Sequence, residues 1–191
     1  MIRKPRLSAI IVSLIALAVN LALTSSRAEA QVKPLKITGG GPAPNGLSLI
    51  PFTPSPHSAI GNATELGHYT GEGFFQILDI TGPLTAEFSS APNFVFVAAN
   101  GDHLAMTYGD TSNGANQPGQ VTLVPNSDGS FTALFVAEFN PDLPNCTGRF
   151  AKLTGGSLIM VAVSEPFFIV GASTTPFNYT WSGTGTLTYG K

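Results

Sequence analysis

Residues 94–108 read FVFVAANGDHLAMTY. Two runs rich in Val, Phe and Ala flank Asn100-Gly101, a dipeptide that reaches positive φ at little steric cost and closes a two-residue hairpin whose twist matches its strands. With Asn100 and Gly101 as the turn, Ala99 faces Asp102, Ala98 faces His103, Val97 faces Leu104 and Val95 faces Met106. Such a register gives a mainly apolar ladder of cross-strand pairs.

Outward from this hairpin the pattern repeats. Strand-like runs cover 69–80, 84–90, 94–99, 103–108, 120–124, 130–139, 157–163, 167–170 and 178–189. Turn formers lie between them: Thr81-Gly82-Pro83, Ala91-Pro92-Asn93, Gly109 to Gly119, Asn126-Ser127-Asp128-Gly129 and Pro141 to Gly148. Short, evenly spaced strands with no helical period between them predict an all-β domain, an antiparallel barrel or a sandwich. In the last run Phe177, Tyr179, Trp181, Gly183, Gly185, Leu187 and Tyr189 share one face and Asn178, Thr180, Ser182, Thr184, Thr186 and Thr188 the other, a strict period of two. The aromatic face points inward, and Gly183 and Gly185 mark a bend in the wall or a close approach of backbone. In 131–139 and 158–163 both faces carry apolar residues. The outer face there calls for a cover, either the N-terminal arm or a second copy of the chain, so a homo-oligomer is expected.

Residues 1–30 read as a secretory signal peptide, with Arg3, Lys4 and Arg6 ahead of an apolar run from Leu7 to Leu23 and Ala28-Glu29-Ala30 as an A-x-A cleavage site. A secreted or periplasmic protein follows. The leader holds four of the nine Lys and Arg and one of the eleven acids, leaving five basic and ten acidic side chains, a net charge of −5. That balance disfavours nucleic acid and anionic membrane surfaces as partners, since both need a basic patch. After the leader nothing is long and apolar enough to span a bilayer as a helix. Residues 31–64 contain GGGPAPNG and PFTPSP without a sustained period and read as a Pro/Gly-rich linker or arm, leaving 65–191 as the folded domain. The single cysteine, Cys146, permits no internal disulfide, so the domain relies on its core.

Asn145-Cys146-Thr147-Gly148-Arg149-Phe150, followed by Gly155, resembles the GGTGRF-x-x-A-x-G segment of the dirigent and allene oxide cyclase barrels. Phe96-Val97-Ala98-Ala99-Asn100-Gly101-Asp102, with Leu66-Gly67 and Thr70-Gly71-Glu72-Gly73 upstream, is similar to secreted bacterial proteins that share that barrel. The short motifs spread over about residues 65–190. Cys146 stands where the family has Gly, and Leu153 where it has Ala. The resemblance implies a single antiparallel β-barrel of about eight strands around a central cavity; the plant members are trimers that cyclise an unstable epoxide or steer radical coupling. No plant catalytic residue transfers onto a matching local motif. Thr147, Gly148, Arg149 and Phe150 read as architectural, like Asn100 and Gly101, with Arg149 free to pair with a carboxylate such as Asp142.

The three histidines are His57, His68 and His103. His68 and His103 with Asp102, Glu65 or Glu72 lack any short metal-ligand spacing, so no metal or other cofactor is expected. Asp102 with His103 beside a turn is a rim pair or, in the sharper reading, an acid/base pair at a cavity mouth; His68, Asp102 and His103 are the candidate catalytic residues. No G-x-S-x-G elbow and no Gly-rich loop before a helix occur. Cys146 in its polar loop reads as an exposed thiol, with Arg149 near enough to lower its pKa. Three functions stay open. The barrel binds an apolar or aromatic small molecule against Tyr69, Tyr108, Tyr179 and Trp181; it is an isomerase or cyclase; or it is filled by its own side chains and serves as a structural or interaction domain.

Overall fold

The computed structural model describes residues 30–190, which form a single unit from Gln31 to Gly190. The proposed signal peptide lies outside the described residues, apart from Ala30. Eleven strands follow in order: β1 (Gln31–Ala43), β2 (Ser55–Ala63), β3 (Gly67–Gly82), β4 (Thr85–Ala98), β5 (His103–Tyr108), β6 (Gly119–Pro125), β7 (Phe131–Pro141), β8 (Leu153–Ser164), β9 (Ile169–Val170), β10 (Ser173–Thr174) and β11 (Phe177–Tyr189). All but β9 and β10 join one sheet, which closes in a barrel-like ring of eight strands. Around the ring run β1, β2, β3, β4, β5, β7, β8 and β11, every pair antiparallel. The slot between β4 and β7 is shared: β5 fills one end of it and β6 the other.

The central hairpin forms, in a register one residue away from the expected one. Val97 pairs with His103, Phe96 with Leu104, Val95 with Ala105 and Phe94 with Met106. The connection is a three-residue loop, Ala99-Asn100-Gly101, in which Gly101 at φ +85° donates to the Ala98 carbonyl at 2.8 Å and Ala98 donates to Asp102 at 2.9 Å. A turn followed by one left-handed residue is the three-residue solution to hairpin closure. Its benefit lies in packing, because this register sets Phe94 and Phe96 directly against Met106 and Leu104, all four wholly buried.

The stretch read as a linker is part of the wall. β1 pairs along its whole length with β11, from Gln31 against Tyr189 to Ala43 against Phe177, and β2 sits between β1 and β3. Gly39 to Gly41 serve close approach here, not flexibility. A Cβ on Gly39 would lie 2.9 Å from the Trp181 Nε1 and closer still to the Tyr69 hydroxyl. Pro34 and Pro42 fall outside the short β1–β2 ladder, which spans only Ile37 to Gly40 on β1, so their missing N–H groups break nothing on that side. The expected turn at Ala91-Pro92-Asn93 is instead a bulge within the single strand β4: the register passes from Gly73 opposite Phe94 to Phe75 opposite Ser90.

On β11 the inward and outward faces fall as the period of two requires. At Gly183 the absent side chain makes room for Leu158 and Ile37, so the wall is closely packed there. Outside, Leu134, Val136, Ile159, Val161 and Val163 stay 37–50% exposed on neighbouring strands, and the expected arm, residues 31–64, does not cover them. The two ends of the ring differ. Among the described residues Lys33, Lys36, Arg149 and Lys152 all belong to the end that carries the β4–β5 hairpin. The other end, built from residues 44–54, 83–84 and 165–176, exposes Ile50, Phe52, Leu84, Phe168, Ile169 and Val170.

Candidate functional site

Inside the second end lies an apolar cavity of about 60 Å³ walled by Phe75, Phe88, Phe135, Phe139 and Trp181. Leu47, Phe75 and Phe135 also line a groove of about 150 Å³ that opens at the mouth. Leu47 belongs to the 44–54 loop, which is clipped to the 165–176 loop by Leu49 N–H to Ala172 O (2.9 Å), Thr174 N–H to Leu47 O (3.0 Å) and Leu47 N–H to Thr174 Oγ1 (2.8 Å). This strap therefore caps the cavity with a side chain that no ladder of the ring holds.

His57, Tyr108 and Tyr179 line one side of the cavity, whose surface is almost wholly apolar because their polar atoms bind one another and backbone carbonyls. β2 turns His57 inward, where its ring packs against Phe94, Tyr179 and Tyr108 with centroids 4.9, 5.8 and 6.0 Å away. The residue keeps some exposed surface and also borders an open groove with Pro56, Glu72 and Phe74. Its Nδ1 lies 2.9 Å from the Tyr179 hydroxyl and its Nε2 2.9 Å from the Tyr108 hydroxyl. The Tyr179 hydroxyl donates to Ser58 O and that of Tyr108 to Phe74 O, each at 2.8 Å. Burial lowers the His57 pKa from 6.5 to about 4, so the ring is neutral near pH 7. Burial likewise raises Tyr108 well above 10, with Tyr179 adding to it, and raises Tyr179 strongly, with Tyr69 adding to it.

Of the four side chains expected to meet a ligand, Tyr108, Tyr179 and Trp181 line the cavity. Tyr69 stands behind it, accepting from Trp181 Nε1 at 2.8 Å and donating to Thr38 O at 3.1 Å. Burial lifts its pKa to about 12, and the Trp181 hydrogen bond opposes that shift.

The candidate catalytic residues sit elsewhere. His68 is exposed near the start of β3, and Asp102 and His103 stand at the tip of the hairpin, at the opposite end of the ring. None of them lines the cavity. Arg149 pairs with Asp102 at 3.2 Å, in place of the expected Asp142, which is occupied by Asn93 (2.9 Å) and Asn145 (2.7 Å). Asp102 is held below the usual carboxylate range, first by its hydrogen bond from Asn100 and then by Arg149. Thr147 donates its N–H to His103 O at 2.9 Å and accepts from His103 N–H at 3.1 Å. Gly148, at φ +59°, leaves the place of a Cβ to the Asp102 carboxylate. The Thr147-Gly148-Arg149-Phe150 turn is thus a clasp on the hairpin tip, with Phe150 as its buried anchor. Cys146, expected exposed, is buried against Ala105 O at 3.5 Å, and burial pushes its thiol pKa up.

Among the described residues no three His, Cys, Asp or Glu side chains gather as a metal site. A roomier depression, about 590 Å³, is a polar cleft on the outer wall under residues 109–118. Its polar groups largely bind one another: Asp110 accepts from Ser112, and Thr107 from Asn113. His57 is the residue that the sequence reading passed over, because it lay in the supposed linker. No protein-family model, curated protein or solved structure matches this chain.

Proposed function

We propose that this chain is an exported binding protein of the allene oxide cyclase and dirigent barrel type, which holds a compact apolar molecule inside the mouth half of its ring. The observation that carries the proposal is the aromatic cavity capped by Leu47, a side chain on a loop. Apolar cavities of about 150 Å³ accept benzene-sized ligands. The cavity alone is smaller at about 60 Å³, so entry requires Leu47 to move toward the mouth groove. Trp181 reports occupancy directly. Titration with toluene shifts Trp181 emission in a saturable way, and Leu47→Ala tightens binding by enlarging the site. A flat titration in both proteins overturns the proposal.

A filled barrel serving as an interaction domain is the second reading, favoured by the small cavity and by the apolar outer stripe of Leu134, Val136, Ile159, Val161 and Val163. That stripe also supports self-association, which sedimentation at micromolar concentration tests. An isomerase reading draws no support from His68, Asp102 or His103, none of which lines the cavity.

A further inference from the structure

Three loops meet at the mouth end, and their outermost side chains are apolar. Residues 44–54, 83–84 and 165–176 contain a single charged side chain, Glu165. Phe52, 68% exposed, is the one non-glycine residue with positive φ among the described residues, at +58°. A bulky residue holds that conformation only where its surroundings impose it. Here Phe52 N–H donates to Ile77 O at 2.8 Å and Thr53 N–H to Ile50 O at 3.3 Å, so the turn is tied down while the ring is left in solvent. The turn at Gly171, φ +61°, is clipped beside it by Leu49 N–H to Ala172 O and presents Val170, 65% exposed. Neither side chain belongs to the buried core, so packing inside the barrel does not account for the strain at Phe52.

Charge decides what such a surface meets. Behind the tips stand the exposed carboxylates of Asp79 on β3, Asp128 on the β6–β7 turn and Glu165 after β8, and among the described residues every Lys and Arg lies at the opposite end. A mouth-to-mouth pair of copies brings these carboxylates together, and an anionic bilayer repels them. A zwitterionic bilayer does neither. Its headgroups end in an ammonium that suits the carboxylates, and the boundary layer beneath takes up apolar side chains. A bilayer also deforms around separate tips, where a folded partner needs a matching hollow for each. We propose that the protein docks mouth-down on zwitterionic bilayers, with Ile50, Phe52, Phe168 and Val170 in the interfacial layer. Docking rests on the mouth surface alone. Together with the binding reading it gives an apolar ligand a path, since the groove lined by Leu47, Phe75 and Phe135 then opens into lipid and not into water.

The experiment is flotation of residues 31–191 with vesicles of phosphatidylcholine and phosphatidylethanolamine, and with vesicles enriched in phosphatidylglycerol. The wild type floats with the neutral vesicles, and high salt changes this little. Phosphatidylglycerol weakens the association at low salt, and added salt restores it by screening the repulsion. Phe52→Gly lowers partition into neutral vesicles about tenfold, the worth of one large apolar side chain left in water, and leaves Tm unchanged because glycine adopts this φ without strain. Val170→Asp, at an exposed tip, also lowers it. A wild type that does not float with neutral vesicles overturns the proposal. So does association that grows with phosphatidylglycerol or survives both substitutions, since contact then lies at the hairpin end with Lys33, Lys36, Arg149 and Lys152. A dimer in sedimentation that Phe52→Gly breaks makes the occupant a second copy and overturns it as well. Flotation without any response of Trp181 emission to toluene removes the binding reading and leaves docking standing.

Discussion

The hairpin end and the mouth end of the ring are built from the same strands but packed to different degrees. At the hairpin end Phe94, Phe96, Leu104 and Met106 are wholly buried, and the tip is clasped by Thr147 to Phe150 through Asp102 and His103. At the mouth end large side chains also point inward, yet a cavity remains among Phe75, Phe88, Phe135 and Trp181, and its lid is a loop residue. Both ends are rich in aromatic residues, so aromatic content does not by itself make a cavity. What differs is the partner across the ring. Phe94 fills the space that Gly71 and Gly73 leave free and stacks on Phe96, whereas Phe75, Phe88 and Phe135 meet one another at the mouth without closing the space between them and Trp181.

The largest effect is expected from breaking the filled end. Phe96→Ala should cost about 3–5 kcal/mol of stability, because a fully buried ring leaves a void that its neighbours cannot close. Phe135→Ala, in a ring that already borders a cavity and is only partly buried, should cost less than half of that. Urea unfolding of both variants measures the difference, and equal losses would erase the distinction between the two ends.

A smaller effect comes from pH and acts at the mouth end. His57 has a folded pKa of about 4 against an ordinary 6.5. The unfolded chain takes up its proton below 6.5 while the folded protein stays neutral until about 4. Stability is therefore complete above pH 6.5 and is lost as pH falls, by about 3 kcal/mol once below the folded pKa. Subtracting the profile of His57→Phe from that of the wild type isolates this term. A difference that does not change between pH 7 and 4 would contradict a neutral His57.

The smallest effect belongs to the clasp. Arg149 and Asp102 are both partly exposed, so Arg149→Ala should cost little, seen as a small drop in Tm that shrinks in high salt. Binding at the mouth should not change, since the two sites lie at opposite ends of the ring.

The all-β class and most strands were legible because their signals are local and strong. β11 announces both of its faces through alternation, and β5 keeps its predicted limits. The hairpin was legible as a hairpin, but its register depends on which inner side chains meet, a tertiary matter that Asn100-Gly101 does not encode. β1 and β2 were illegible for a different reason. The inward face of β2 is Ser55, His57, Ala59, Gly61 and Ala63, too small and too polar to register as a hydrophobic period. β1 carries three successive glycines, and the purpose of Gly39 appears only once Tyr69 and Trp181 are packed against it. The candidate site shared this fate. Tyr108, Tyr179 and Trp181 lie on strands that the sequence pattern showed, whereas His57 stands on β2, whose inward face it did not show.

Crystals of residues 31–191 exposed to xenon test the contrast between the two ends most directly, since xenon enters dry apolar cavities without needing a hydrogen bond. One xenon bounded by Phe75, Phe88, Tyr108 and Trp181, with none beside Phe96 and Leu104, is the predicted result. Xenon absent from the mouth cavity, or bound equally in the hairpin half, would contradict a ring that is filled at one end and open to a ligand at the other.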